Sequence, residues 1–354
     1  METLIEKQRK KNKIKVYELA HLLSIDASLM SRILSGKRIP SDQQLQNLAS
    51  ILAVPYEELL KDKIRLKIIE LLKPYPYLAK EVLQMVEEER VAYLSSNRKF
   101  ELINLDHLQG SLNELTKLQQ KWAAQRPLDT LQLQKMLEYF HTSYTYESNQ
   151  IEGNTLDFQE THLVINEGIT IGGKSMREHL EAINHREAID LIIDLVRRSI
   201  DLSAHTLKEI HQLILKGIHS KGAGVYRQSA VRISGSRHLP PDAYRIEELM
   251  ENYFHFYHFQ KRQLHPVILA AEMHERLVTI HPFIDGNGRT SRLVMNLILL
   301  QNGYPIVSLK GDADNRKRYY HALEQVQIDH NHDDFYRLII ERTKASLLEH
   351  LALC

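Results

Sequence analysis

Residues 281–292 constrain this chain more than any other stretch. They read His281-Pro282-Phe283-Ile284-Asp285-Gly286-Asn287-Gly288-Arg289-Thr290-Ser291-Arg292. A helical pattern leads in, with Ile268, Leu269, Met273, Leu277 and Ile280 as its apolar positions, and a second helix starts at Thr290. The chain must therefore turn between two helices through a tight loop with two glycines. Glycine lets the backbone approach a ligand and aim N–H groups at it, and the following helix adds its positive dipole end, so the loop is an anion cradle. Arg289 and Arg292 are three apart and share one helix face, aimed at further phosphate. Asp285 stands where one carboxylate would hold Mg²⁺ beside phosphate oxygens. His281 adjoins the cradle, and imidazole is the usual general base near neutral pH. Together these groups make a nucleotide-transfer site, working by positioning and charge neutralisation. With 19 histidines in the chain, His281 is singled out by this setting, against the plain alternative of a satisfied core histidine.

The remaining signals are mostly helical. Only 14 glycines and 10 prolines punctuate 354 residues, while Leu, Glu, Gln, Lys and His are plentiful. That length predicts two or three domains. An apolar fraction of 43% with 26% charged residues excludes a wholly disordered, collagenous or disulfide-stapled chain. The single cysteine, Cys354, excludes an intramolecular disulfide and a thiolate cluster and fits a reducing compartment. The basic N-terminus lacks the apolar core of a signal peptide. The longest apolar stretches, Leu293–Met295 and Leu297–Leu300, fall far short of the ~18 residues that span a bilayer. A cytoplasmic protein without membrane contact is expected. The one strand-like stretch is Val225–Ile233, bracketed by Gly222, Gly224 and Gly235, which predicts a β-hairpin.

Residues 1–60 hold short helical patterns broken at Ser24-Ile25-Asp26, Ser35-Gly36-Lys37 and Val54-Pro55. Asp26 is a good N-cap for a helix running to about Ser35. Met30 and Ile33 would face inward, and Ala27, Ser28, Ser31 and Arg32 outward, with Lys37 and Arg38 trailing. Small polar residues and one arginine suit entry into a DNA major groove, and the trailing cations suit phosphates. The segment resembles the Cro/repressor-type helix-turn-helix family through Glu18-Leu19-Ala20, Leu23, Ser28, Ser31-Arg32, Gly36, Pro40, Leu45, Leu48-Ala49, Leu52 and Leu59. The resemblance implies double-stranded DNA as a partner. The competing reading is a five-helix interaction module, since nine Lys/Arg against seven Asp/Glu leave only a modest charge.

The string from His281 to Arg292 looks like the defining motif of the Fic family, and the resemblance extends over roughly residues 130–350. It takes in Asn184 and Ala188, Gly224-x-Tyr226-Arg227 with Val231-x-Ile233, His238-Leu239-Pro240-Pro241, Gly303-Tyr304-Pro305 and Tyr319-Tyr320. The resemblance implies a mostly helical fold and transfer of AMP from ATP to a Ser, Thr or Tyr hydroxyl of a protein, with the chain itself among the targets. On that reading His281 deprotonates the hydroxyl and Asp285 binds Mg²⁺. Gly286, Asn287, Gly288 and Arg289 hold the α- and β-phosphates and Arg292 the γ-phosphate, with Thr290 and Ser291 part of the nucleotide site. Tyr319 and Tyr320 line the adenine pocket, where Gln327 replaces an asparagine common among relatives. Val231, Arg232, Ile233 and Ser234 form a flap that docks the target by strand addition. A kinase-like branch of the family carries lysine at the position of Gly288, so glycine favours AMP transfer.

Ser148-Asn149-Gln150-Ile151-Glu152-Gly153-Asn154 fits the family's inhibitory pattern in the class whose inhibitory helix precedes the core. Glu152 would pair with Arg292 and occupy the arginine needed by the γ-phosphate, with Ser148 and Gly153 completing the pattern. The plain alternative is a helix end with Gly153 as its cap. Relatives of this class also remove AMP, with the glutamate activating water. Expected domains are a five-helix DNA-binding unit at 1–60, a helical connector at 61–130 and an all-α Fic core at 131–354. The inhibitory helix falls near 145–154, and a small β-hairpin flap completes a mostly α fold. A dimer is expected from both resemblances.

Two rival functions stay open: a transcription regulator that only senses nucleotide, and a phosphotransferase. Gly168–Ser175 matches the P-loop pattern but follows a helical stretch, Thr155–Asn166, and reads as an inter-helix loop. His255 and His258 read as the rim of an aromatic helix, Asp329–Asp334 as a cap for the last helix, and Trp122 as packing.

Overall fold

A computed structural model describes residues 3–75, 78, 82, 105–125, 130–233 and 235–353. Ser234, Cys354 and most of the segment from 76 to 104 lie outside these. The chain divides into two compact units, residues 1–103 and 104–354.

The first unit holds α1 (Leu4–Lys11), α2 (Val16–Leu22), α3 (Ala27–Leu34), α4 (Asp42–Leu52) and α5 (Tyr56–Leu72). Short polar caps start them. Thr3 accepts from the Glu6 N–H, Asp26 from Leu29, and Ser41 forms a reciprocal capping box with Gln44. Ser24 makes the tight turn before α3 with φ at +53°. Leu19, Met30, Ile33, Leu45, Leu48, Leu52 and Leu59 form the buried core. Each such side chain stabilises the unit by about 1.5–3 kcal/mol. The connector expected at 61–130 is shared between the units, because α5 runs on to Leu72 and α6 (Gln109–Ala124) belongs to the second.

The second unit is built around α12 (Pro266–Ile280) and α13 (Asn287–Gln301), the two helices that flank the glycine loop. Both are buried on nearly every side, which explains why apolar residues run round them rather than along one stripe. Around them lie α7 (Thr130–Ile151), α8 (Phe158–His162), α9 (Met176–Arg197), α10 (Ala204–Ile214), α11 (Ile246–Gln260), α14 (Ala313–Asp329) and α15 (Asp333–Ala352). Trp122 of α6 is buried edge-on against His350 of α15, the packing role expected.

Among the described residues there is no β-strand, so the hairpin expected at Val225–Ile233 is corrected to an irregular segment. An isolated two-stranded ribbon is marginal in water and needs further strands or a packed face. Here the segment is held instead through Arg227, whose N–H donates to the Pro282 carbonyl at 2.9 Å. Gly168–Ser175 is a loop between helices, ending where Ser175 caps α9, and Lys174 pairs with Glu160 at 3.2 Å. Asn331 Oδ1 accepts from the Asp333 N–H at the start of α15, whose N-cap position is His332. His255 and His258 lie on the exposed face of α11.

Candidate active site and candidate DNA interface

His281 ends α12 in the left-handed conformation, with φ at +52°. Its backbone N–H donates to the Leu277 carbonyl at 2.9 Å, and its Nδ1 lies 3.3 Å from the Val278 carbonyl. A carbonyl only accepts, so Nδ1 carries the proton and Nε2 the lone pair. Burial pushes the imidazole down to about 4, with the nearby Arg227 adding to the fall. His281 is therefore neutral at pH 7 and able to take a proton.

The loop after it is shaped by Asn287, whose side chain accepts from the Phe283 N–H at 3.0 Å and donates to the Phe283 carbonyl at 2.9 Å. The Asn287 amide is thus spent on the turn, leaving its backbone for a ligand. Gly286 has φ at +77° and packs on α10, where a Cβ would come within 3.1 Å of Ile214. Asp285 is two-fifths exposed. Burial opposes the charge on its carboxylate, but Arg289 and Arg177 keep its proton affinity below the usual range. Its Oδ2 accepts from Arg177 at 2.9 Å and its Oδ1 from the Gly286 N–H at 2.6 Å. A hard, oxygen-seeking cation such as Mg²⁺ fits this carboxylate, which is two-fifths exposed beside the loop and would exchange Arg177 for the ion.

Arg289 and Arg292 are both almost completely buried. Arg289 meets Glu181 at 3.2 Å and Asp285 at 3.5 Å. Arg289 Nε, Arg292 Nη1 and Thr290 Oγ1 are buried without a hydrogen-bond partner. Each orphaned donor costs about 1–3 kcal/mol, so the pocket calls for an anion with several acceptor oxygens. Ser291 caps inward, donating to the Gly288 carbonyl at 2.8 Å.

The expected contact between Glu152 and Arg292 is present. Arg292 donates from Nε to Ser148 Oγ at 2.9 Å, and from Nη2 to the Ser148 carbonyl at 2.9 Å and Glu152 Oε1 at 2.7 Å. Burial alone would raise the Glu152 carboxyl, but Arg292 and Arg289 hold it below its usual range. Gly288 makes room for it: a Cβ there would stand 2.3 Å from Glu152 Oε1. Gly153 follows at φ +95°. The helix that leads into Glu152 is clamped in turn. Glu147 accepts from Lys310 Nζ and from the Gly311 N–H, both at 2.8 Å, and Tyr320 donates to the Ile151 carbonyl at 3.0 Å.

The two tyrosines differ. Tyr319 is inside the core, 3.2 Å from His274 Nε2, while Tyr320 is two-fifths exposed beside Arg316. Of the pair, only Tyr320 offers its ring to the surface. Val231 and Ile233 are half-buried, Arg232 is exposed, and Ser234 lies outside the described residues.

Several contributors escaped the sequence reading. Arg177 and Glu181 join the Asp285–Arg289 pair from α9. Their signal is charge on a helix face whose neighbours, Ala182 and Ala188, are buried. Arg227, named from sequence only as part of the resemblance, is buried and donates to the carbonyls of His281, Ser229 and Pro241, at 2.8, 2.8 and 2.6 Å. In the first unit, Ala27, Ser28, Ser31, Arg32, Lys37 and Arg38 are all exposed, whereas Met30, Ile33 and Leu34 of the same helix are buried.

Residues 201–299 match the Fic/DOC family model and residues 5–59 a helix-turn-helix model. The chain is 34% identical over 232 residues to a protein adenylyltransferase Fic of Nematostella vectensis, covering 64% of this chain and 52% of that one. It is 34% identical over 208 residues to the protein of that name from Drosophila melanogaster, covering 58% and 41%. The chain thus spans about half the length, or less, of the curated relatives it matches. Among solved structures it resembles Fic-1 of C. elegans, residues 134–508, with a TM-score of 0.63, 23% identity and coverage of 98% and 96%. A Fic domain containing signaling protein of Bacteroides thetaiotaomicron gives a TM-score of 0.59 at 26% identity, covering 67% and 95%. The chain carries a Fic/DOC-family domain, built on the α12–loop–α13 element just described, and an N-terminal helix-turn-helix domain.

Proposed function

We propose that this chain is an autoinhibited protein adenylyltransferase, moving AMP from ATP to a Ser, Thr or Tyr hydroxyl of a protein, itself included, and that its first unit binds double-stranded DNA to regulate transcription. The observation that carries the reading is the set of buried, orphaned donors on Arg289, Thr290 and Arg292, ringing a glycine loop beside a neutral imidazole. Curated relatives that bear the name protein adenylyltransferase support it. The reaction would take place where ATP and DNA are both present, in the cytoplasm.

In this mechanism Arg289 and the loop N–H groups of residues 286–288 hold the α- and β-phosphates, and Arg292 holds the γ-phosphate once Glu152 has left. Mg²⁺ on Asp285 would neutralise phosphate charge. Nε2 of His281 takes the hydroxyl proton as the oxygen attacks the α-phosphorus. The bond from that phosphorus to the oxygen bridging to the β-phosphate breaks, and diphosphate leaves with the electron pair. Nucleotide sensing alone would not require a base at 281, and a kinase-like reaction would transfer the γ-phosphoryl instead.

Labelled ATP separates these readings, with Glu152→Gly as enzyme and His281→Ala as control. Label from the α position, lost in the control, is expected. Label from γ would replace the reading by phosphotransfer, and no label with ATP still bound would leave the sensor.

Two further outcomes are expected. Arg32→Ala weakens binding to operator DNA by about 1–3 kcal/mol and leaves transfer unchanged, measured by fluorescence anisotropy. Equal binding would remove α3 as the recognition helix. Gly311→Ala places a Cβ 2.7 Å from Gln150 Cβ and 2.8 Å from the Glu147 carbonyl. Overpacking of that kind costs about 1–3 kcal/mol, so the brake loosens and transfer rises about tenfold. A variant as quiet as the parent would show that the clamp at 311 does not hold the brake.

A further inference from the structure

His211 lies on α10, outside residues 281–292. Its ring is fully buried and stacks on Phe283, with centroids 3.6 Å apart and planes within 8°. Its two nitrogens reach two different segments. Nδ1 is 2.9 Å from the backbone N of Gly224, at the root of the flap. Nε2 is 2.9 Å from the backbone carbonyl of Asp285, in the motif loop. An N–H can only donate, so Nδ1 accepts. A carbonyl can only accept, so Nε2 carries the proton. The tautomer is therefore set by the two segments that the ring joins. Both segments are pressed against α10: a Cβ at Gly224 would lie 3.1 Å from the Lys208 carbonyl, and one at Gly286 3.4 Å from His211 Nε2.

We propose that His211 is a positioning residue that ties the root of the target-docking flap to the loop carrying Asp285, so that the docked hydroxyl and the phosphate cradle keep one geometry. The proposal rests on the transferase reading above. A hydroxyl presented along residues 231–233 must meet both His281 and the α-phosphorus, and a displacement of about 1 Å at such a site can cost on the order of a hundredfold in rate. Arg227 supplies a parallel tie from Ser229 and Pro241 to the His281 carbonyl. His211 adds the link at the flap's other end, where Gly224 begins it.

The test uses the full chain with Glu152→Gly as parent. His211→Phe keeps a ring on Phe283 and removes both hydrogen bonds. Incorporation of α-label into the chain itself is expected to fall about ten- to a hundredfold, with the dissociation constant for ATP and Mg²⁺ within about twofold. Trypsin should cut after the exposed Arg232 about fivefold faster, because the flap opens more often. His211→Gln keeps an N–H at the ε position for Asp285 but has no acceptor at the δ position that serves Gly224. It should nick as fast with a smaller loss of transfer, and it decides the matter if the phenylalanine variant does not fold. Parental incorporation and parental nicking overturn the proposal, as does a fall in incorporation matched by an equal loss of ATP affinity. If the parent itself takes up no α-label, the transferase reading fails, and the nicking rates still judge the tie.

Discussion

Glu152→Gly raises incorporation of label from α-labelled ATP on the order of a hundredfold. The reason lies in the donors of Arg292. Two go to Ser148, one of them shared with Glu152, and Nη1 has no hydrogen-bond partner. While Glu152 stays, a γ-phosphate must displace a carboxylate already paired at 2.7 Å and seated against Gly288. Removing Glu152, whose side chain is 30% exposed, leaves the buried Arg292 uncompensated, at a cost near the lower end of the about 3–5 kcal/mol for a fully buried pair. That cost falls on the ATP-free state, and the γ-phosphate removes it on binding. A differential of about 3 kcal/mol corresponds to about a hundredfold. The same reasoning predicts a lower melting temperature for ATP-free Glu152→Gly, with most of the loss recovered on adding ATP. Glu152→Gln, which keeps the shape but not the charge, should fall between. A glycine variant as slow as the wild type would remove the brake, since Glu152 is the only carboxylate paired with Arg292 among the described residues.

His281→Ala in that released background lowers transfer by about 10²–10⁴-fold, the usual worth of a general base. ATP affinity should stay within about twofold, because the arginines and the loop N–H groups are untouched. Position 281 carries a backbone difficulty that the prediction must respect. Its φ is +52°, so alanine there is strained, whereas asparagine tolerates this region well. His281→Asn is therefore the cleaner variant: it keeps the turn and the bond from Arg227 Nε to the residue's carbonyl. Loss of transfer in both variants with ATP binding intact assigns the proton to His281. Transfer that survives in His281→Asn would mean that the imidazole is not the base. Because burial holds His281 neutral above about pH 4, the rate should be flat between about pH 5 and 8, where an exposed histidine would titrate.

Much of this was legible from residues alone. The helix start at Asp26 was readable, because the capping side chain and the N–H it serves lie three residues apart. The exposed face of α3 followed from helical periodicity, and Ala27, Ser28, Ser31 and Arg32 are all on it. The glycine loop was equally local, because its turn, base and arginines sit within twelve residues. The hairpin at 225–233 was misread. Alternation there predicts a strand, but a strand also needs a partner, and the described segment instead ties its backbone to Pro282.

What tertiary structure alone decided are the meetings between distant residues. Glu152 and Arg292 are 140 positions apart, His211 and Asp285 are 74 apart, and Arg177 reaches Asp285 across 108. Tyr319 and Tyr320 are neighbours in sequence, yet one turns into the core and the other to the surface. Capping, turns and helix faces are governed by interactions over three or four residues, so the amino-acid order states them directly. Which charge meets which depends on how α7, α9, α10 and α13 pack, and burial then makes the pairings of Arg289 and Arg292 count for more than the exposed one of Arg177.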